Sequence, residues 1–102
     1  MTDRNEPSPA RPDIGLPPLA RPYNRTPVFT EETVPDALRN DHSTKAGVWG
    51  VIHVLSGALR YSVRDTGAET IVRAGDEALI TPATPHRVTP LGAVSFYVEF
   101  WR

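Results

Sequence analysis

The amino-acid sequence predicts an all-β domain, and three observations support this prediction. Turn signals such as Ser56-Gly57, Gly75-Asp76 and Leu91-Gly92 recur about every eight to ten residues from residue 56 onward. The segments between them are rich in β-branched and aromatic residues. No stretch of about ten residues has the 3.6-residue period of an amphipathic helix. Many short strands at even spacing in one small domain are typical of a β-sandwich or a β-barrel.

The N-terminal segment differs in composition from the rest of the chain. Six of the 11 prolines lie in residues 1–22, and the aromatic residues begin at Tyr23. A proline-rich segment without aromatic residues buries too little apolar surface to fold by itself. We therefore expect a flexible tail over residues 1–22, or a docking peptide, followed by one folded domain over residues 23–102.

The strand candidates follow in chain order after residues 34–41, which could hold a single helical turn. Residues 47–55, GVWGVIHVL, are apolar on both faces, which is typical of a central or doubly covered strand. Residues 58–64 alternate between apolar and polar side chains, which is typical of a half-buried strand. Three further candidates lie at residues 69–73, 77–81 and 93–101.

Composition excludes several classes of function. The 11 basic and 12 acidic residues give a net charge of −1, and no basic run predicts binding to nucleic acid or to a membrane surface. With no cysteine, disulfides, thiolate metal sites and cysteine nucleophiles are excluded. The first ten residues do not resemble a signal peptide, and no apolar run approaches the roughly 18 residues of a membrane helix. We expect a soluble, cytoplasmic protein.

Three histidines and one glutamate are the candidate site residues. His53 and Glu99 each lie on a strand face that is otherwise apolar, where a polar group needs a partner. They form either a His–Glu core pair or part of a metal site. Pro85 restricts the backbone next to His86, whereas His42 lies in a loop and either caps a turn or acts as a ligand.

Imidazoles with one carboxylate at the ends of strands suit zinc, iron(II), nickel or manganese, and the spacing does not choose among these metals. The predicted cofactor is therefore a divalent transition metal, and the predicted ligands are His42, His53, His86 and Glu99. No motif of a serine hydrolase, a phosphate-binding loop or a zinc protease is found, so no catalytic residue is assigned.

The segment GDEALITPATPHRV, residues 75–88, resembles the second conserved motif of the cupin superfamily, which ends in a metal-binding histidine. VLSGALRYSV resembles the end of the first motif, but the glutamate ligand of that motif would fall at Gly50, and its His-x-His pair is reduced to His42. His53 has the opposite strand parity to position 50. An unbroken strand would turn His53 away from the barrel interior, unless a bulge near Gly47–Gly50 changes its direction.

The segment HSTKAGVWG and the PHRV ending resemble more closely the small stand-alone cupins of the TehB/YeaR-like family, over roughly residues 20–102. Related domains precede the methyltransferase of some bacterial tellurite-resistance proteins. The resemblance implies a bacterial double-stranded β-helix (a cupin, or jelly-roll barrel) and a link to tellurite or other oxidative or nitrosative stress. It does not imply a particular reaction, and no methyltransferase is present in these 102 residues.

Three functions remain open at this point. The first is a metal-binding cupin that acts on or sequesters a small molecule or oxyanion. The second is a non-catalytic module that binds or senses a small ligand. The third is a structural domain whose core histidines have hydrogen-bond partners within the protein. A homodimer is also expected, because residues 47–55 are apolar on both faces and a small monomer would leave one face bare.

Overall fold

A computed structural model describes residues 14–102, which form eight β-strands and one short helix. The helix, α1, spans Asp36–Arg39. The strands are β1 (Pro22–Arg25), β2 (Phe29–Thr30), β3 (Trp49–Ser56), β4 (Ala58–Val63), β5 (Glu69–Arg73), β6 (Glu77–Ile80), β7 (His86–Pro90) and β8 (Ser95–Trp101).

The strands form two antiparallel sheets. The five-stranded sheet has the order β1-β8-β3-β6, with β2 also pairing with β8, and the three-stranded sheet has the order β5-β4-β7. The predicted all-β fold is confirmed, and the five predicted strands correspond to β3, β4, β5, β6 and β8. The prediction missed β7, because prolines at both of its ends are typical of turns. It also missed β1 and β2, which are only four and two residues long.

Side chains alternate between the two faces of β3, and this alternation decides where each candidate residue lies. Ile52 and Val54 point into the core between the sheets, whereas Val51 and His53 lie on the outer face. β3 pairs with β8 in an unbroken register from Trp49 to Val54, and the irregularity lies beyond Val54. No bulge therefore turns His53 toward the interior.

The core between the sheets is apolar, and burying each large side chain in it contributes about 1.5–3 kcal/mol. Its buried residues are Val34, Ile52, Val54, Leu59, Tyr61, Val72, Ala78, Ile80, Val88, Val94, Phe96 and Val98. Gly57 carries the chain from one sheet to the other, with a φ of +73°. A Cβ at this position would collide with the backbone oxygen of Ala93, so the corner requires glycine.

A second cluster lies on the outer face of the five-stranded sheet. Leu16 and Ala20 are buried there with Val51 and Trp101. Packed side chains therefore already occur N-terminal to Tyr23, the predicted start of the fold, while residues 1–13 of the predicted tail lie outside the described residues. Within residues 14–102, no helix is long and apolar enough to cross a membrane.

Candidate functional site

The turn between β6 and β7 places His86 at the start of β7, facing the interior. Ala83 has a φ of 56° within this turn, and its N–H donates to the carbonyl of Thr44 at 3.2 Å. Left-handed backbone is uncommon for a residue other than glycine, so the surrounding contacts hold this shape. Thr84 adds a hydrogen bond from its hydroxyl to the carbonyl of Pro82 at 3.1 Å. The histidine that follows is only 2% exposed.

His42 lies beside His86 because the backbones of the two residues bond to each other. The N–H of His86 donates to the carbonyl of His42 at 2.8 Å, and the N–H of His42 donates back at 2.9 Å. The two imidazole rings meet edge to face, with centroids 4.9 Å apart. The structure thus brings together two of the four predicted metal ligands.

The ring of His86 has one nitrogen that is bonded and one that is available. Nδ1–H donates to the carbonyl of Thr84 at 2.8 Å, which fixes the tautomer and leaves the lone pair on Nε2. Among the residues that the structure describes, none forms a hydrogen bond with Nε2. Burial is the largest influence on the pKa of His86 and lowers it; His42 lowers it further, while the Thr84 bond and Asp41 oppose the shift. The ring is therefore neutral at neutral pH.

Both histidines line a cavity of about 50 Å³ between the two sheets, which has room for only a few water-sized groups. Apart from two threonines, its other walls are apolar. The lining residues are Thr26, Leu38, His42, Thr44, Ile52, Ile80, His86, Val88, Val98 and Phe100.

A larger groove of about 470 Å³ lies next to this cavity and is open to solvent. The two spaces share three wall residues, His42, Thr44 and Phe100, so these side chains separate them. The remaining groove walls are Tyr23, Asn24, Ser43, Lys45, Val48 and Arg102. His42 is therefore reached both from the interior and from the solvent side.

His53 and Glu99 form a separate pair on the outer face of the five-stranded sheet. Nε2 of His53 lies 3.1 Å from Oε1 of Glu99, and Nδ1 lies 3.3 Å from Oε2 of Glu77. Trp101 donates its indole N–H to Glu99 at 2.9 Å, and the ring of Tyr97 stacks on His53 at 4.7 Å. Glu77 was not among the predicted residues, although it lies directly opposite His53 in the β3–β6 register.

The structure therefore does not unite the four predicted ligands. Strand parity puts His53 and Glu99 on the outer face of the five-stranded sheet, whereas His42 and His86 line the cavity between the sheets. In residues 14–102, no three His, Asp or Glu side chains are grouped as a metal ion would require. Gly50 occupies the position at which the cupin resemblance implies a glutamate. A Cβ there would lie 3.1 Å from the side chain of Ile80, a cavity wall, so the packing also leaves little room for a larger side chain.

The residues that remain fit a metal ion only in part. Two imidazoles, one in a buried residue whose Nε2 lacks a hydrogen-bond partner within the described chain, are suitable donors. Catalytic zinc sites, however, have three protein ligands. This pair would therefore hold an ion with several coordination positions left to water or to a bound small molecule, and its affinity would be modest.

The comparison with protein families agrees with the fold and with the sequence resemblance. The family model of the TehB-like domain matches residues 24–98. A probable S-adenosyl-L-methionine-dependent methyltransferase TehB from Haemophilus influenzae strain Rd is 34% identical over 74 residues, which cover 68% of this chain and 26% of that protein. The chain thus spans about a quarter of the length of the curated relatives that it matches.

Two crystal structures share the architecture. TehB from Haemophilus influenzae has a TM-score of 0.73 at 28% identity, over 80% of this chain and 31% of that one. A protein from Escherichia coli K12 has a TM-score of 0.79 at 21% identity, over 87% of this chain and 96% of that one, and shows the fold alone. Because the family model spans most of its length, the chain belongs to the TehB-like domain family.

Proposed function

We propose that this small cupin-like domain binds a divalent transition metal ion through His42 and His86 and leaves the ion open to a small-molecule ligand. The observation that carries the proposal is Nε2 of His86, which has no hydrogen-bond partner in the described chain and belongs to a buried ring that lines the cavity and contacts a second imidazole. A ligand on this nitrogen would supply the partner that the protein leaves open.

The surroundings of His86 suit this role. The carbonyl of Thr84 holds the ring in one orientation and one tautomer, as partners of metal-binding histidines commonly do. Burial keeps the imidazole neutral, which is the form that binds metals. When bound, such an ion would polarise a small ligand as a Lewis acid. We assign no reaction and no catalytic residue.

The proposed ligand set is smaller than the one predicted from the sequence, and the change affects which metals suit it. Manganese prefers oxygen ligands, and the carboxylate of Glu99 lies on the other face of the sheet. Imidazole donors suit zinc, nickel and iron(II). Of the four predicted metals, these three therefore fit the site better than manganese.

Equilibrium dialysis of the metal-free protein against zinc and nickel tests the proposal. Wild-type protein should bind a stoichiometric amount, His86→Ala should bind none, and His42→Ala should bind severely less. His53→Ala is the matched control, because it removes the same type of side chain from the opposite face and should keep the metal. Circular dichroism should show an unchanged fold in the variants. Wild-type protein without bound metal, or a His53→Ala variant that alone loses it, would contradict the proposal.

A second candidate is a binding module for a small molecule without a metal. The observation that favours it is the apolar lining of the cavity, to which Leu38, Ile52, Ile80, Val88, Val98 and Phe100 contribute. A largely apolar ligand with one proton donor would satisfy Nε2 of His86 by a hydrogen bond. This candidate replaces the first if dialysis finds no bound metal.

Other expectations from the sequence stay predictions. They are the link to tellurite or to oxidative or nitrosative stress, the cytoplasmic location, and the homodimer. The homodimer was expected because residues 47–55 are apolar on both faces. In the structure, Leu16 and Ala20 of the same chain cover part of the outer face of β3. We do not extend methyl transfer, the activity in the name of the relatives, to a chain that spans about a quarter of their length.

A further inference from the structure

We propose that the cavity and the groove form one two-part site for a small amphiphilic molecule. Its short aliphatic end enters the cavity, its polar remainder lies in the groove, and Ile80 limits the size of the end that is accepted. The inference rests on the proposed function only in placing a small ligand beside His42 and His86, which both candidate functions do. It involves no metal ion, and it adds the chemical class of the ligand and a residue that determines specificity.

The first argument is that the cavity offers a ligand apolar contacts and few polar ones. Apart from two histidines and two threonines, its walls are apolar. Thr26 donates its hydroxyl hydrogen to the carbonyl of Pro27 at 2.8 Å. Thr44 donates its hydroxyl hydrogen to the carbonyl of Val48 at 2.7 Å. The cavity therefore suits the aliphatic part of a ligand better than its polar part.

The second argument is the size of the cavity, whose volume is about 50 Å³. Each water-sized group needs roughly 10–15 Å³, so the cavity holds about three to five such groups. A butyl chain falls within this range. An apolar cavity that binds benzene has a volume of roughly 150 Å³, so an aromatic ring is too large. The cavity therefore selects a short aliphatic end.

Ile80 forms a cavity wall that packs over a glycine on the neighbouring strand. Gly50 lies directly opposite Ile80 in the β3–β6 register, and a Cβ at Gly50 would lie 3.1 Å from Cδ1 of Ile80. The isoleucine is only 3% exposed. Because the surrounding structure relaxes only in part when a buried side chain is shortened, Ile80→Ala should enlarge the cavity.

The third argument is the position of the groove. It shares His42, Thr44 and Phe100 with the cavity, and each of these residues is half-buried. A molecule that is larger than the cavity therefore has its remaining part beside them in the groove. The groove holds about 470 Å³ and adds polar side chains, among them Asn24 and Ser43. Burying a polar group among apolar walls costs free energy, so the polar part of the ligand is favoured on the groove side.

Nuclear magnetic resonance titration of the chelator-treated full chain with 2-butoxyethanol and 2-phenoxyethanol tests the inference, because the two compounds share a polar head and differ in the apolar end. 2-Butoxyethanol should shift the amide signals of Ile80 and Val88, in the cavity walls, and of Ser43, in the groove. 2-Phenoxyethanol should shift the groove signal alone. It should bind roughly tenfold more weakly, the effect of leaving about two methylene groups unburied.

Two variants at Ile80 test its role in specificity. Ile80→Ala should bring the two affinities to within about threefold of each other, because the enlarged cavity admits the phenyl ring. Thermal denaturation shows whether this variant folds. If it does not, Ile80→Val should change the ratio in the same direction by a smaller factor. Ile71→Ala is the matched control, since Ile71 is exposed on β5 and lines neither space, and it should leave the ratio unchanged.

The outcomes separate this inference from the proposed metal site. Wild-type protein that binds 2-phenoxyethanol as tightly as 2-butoxyethanol overturns the inference, and so does a ratio that is the same in wild type and in the folded Ile80 variants. An equal change in Ile71→Ala also overturns it. Bound zinc in dialysis with no response to 2-butoxyethanol overturns the inference and leaves the metal site standing. The expected response to both compounds without bound zinc supports the inference and overturns the metal site.

Discussion

The inner and outer faces of the five-stranded sheet each have a histidine beside them, but the two histidines have opposite surroundings. On the outer face, carboxylates contact both ring nitrogens of His53, and Tyr97 stacks on the ring. On the inner side, His86 is almost fully buried, and only one of its nitrogens has a hydrogen-bond partner in the described chain. A histidine with partners at both ring nitrogens indicates a structural role, whereas one with an unpartnered nitrogen on a cavity wall indicates a binding role.

The outer face is therefore a supporting surface. The His53–Glu99 contact joins β3 to β8, and the Glu77 contact joins β3 to β6. Exposed ion pairs contribute little, but these side chains are half-buried and share one network. The inner face contributes more to stability through apolar packing and also carries the cavity. The two faces should therefore respond differently to the same type of substitution.

The largest effect is expected at Phe96, on the inner face of β8. Phe96 is fully buried and packs edge to face against Phe29, with ring centroids 5.8 Å apart. Phe96→Ala should lower the free energy of unfolding by about 3–5 kcal/mol, because it leaves a cavity in the core. Tyr97→Ala, the next residue on the same strand but on the outer face, should cost clearly less. Urea denaturation measures both, and equal losses would contradict the distinction between the faces.

A smaller effect is expected at Leu16, which covers part of the outer face. Leu16 is 9% exposed and packs in the cluster that contains Val51 and Trp101. Leu16→Ala should cost about 2–3 kcal/mol, at the low end for buried leucine because the cluster lies on the outer face of the sheet and is smaller than the core between the sheets. Leu19→Ala is the control, since Leu19 is 85% exposed and should change stability by less than about 0.5 kcal/mol. Similar urea midpoints for the two variants would show that residues 14–20 do not stabilise this face.

The fold was predictable from local signals, except for β1 and β2, which are only four and two residues long, for β7 and for the packing of Leu16. Alternation and turn residues located β3, β4, β5, β6 and β8, because these strands are bounded by glycine or acidic turns. β7 was missed because it lies between two prolines. The packing of Leu16 could not be inferred from composition. A proline-rich segment predicts a flexible tail, and its contacts with the sheet appear only in the folded structure.

The candidate site was predictable only in part. Strand parity indicated that His53 would face away from the interior, and the structure places it there. The pairing of His42 with His86 follows from a backbone bridge between segments far apart in the chain, which no local pattern reports. The role of Thr84 depends on the shape of the proline-containing turn, and the groove with Arg102 is formed only when the chain folds.

The smallest effect is a pH dependence that comes from the inner face. Burial lowers the pKa of His86 below its ordinary value of 6.5, while the Thr84 hydrogen bond raises it, His42 lowers it and Asp41 raises it. Below pH 6.5 the unfolded chain therefore binds a proton at this residue that the folded chain excludes, so unfolding becomes easier as the pH falls. The loss continues down to the lowered pKa of the folded state and then levels off.

Urea denaturation of chelator-treated protein between pH 7.5 and pH 5 isolates this contribution. Other groups titrate in the same range, so the quantity to follow is the difference in unfolding free energy between wild type and His86→Gln. This difference should be largest near pH 7.5 and should shrink as the pH falls through about 6.5, because the wild type alone loses the contribution of a neutral buried imidazole. A difference that stays constant, or that grows in acid, would mean that His86 is protonated as readily in the folded chain as in the unfolded one. The contrast between the two histidines would then lose its electrostatic basis. Only the lack of a hydrogen-bond partner at Nε2 would distinguish His86 from His53, whose two ring nitrogens both contact carboxylates.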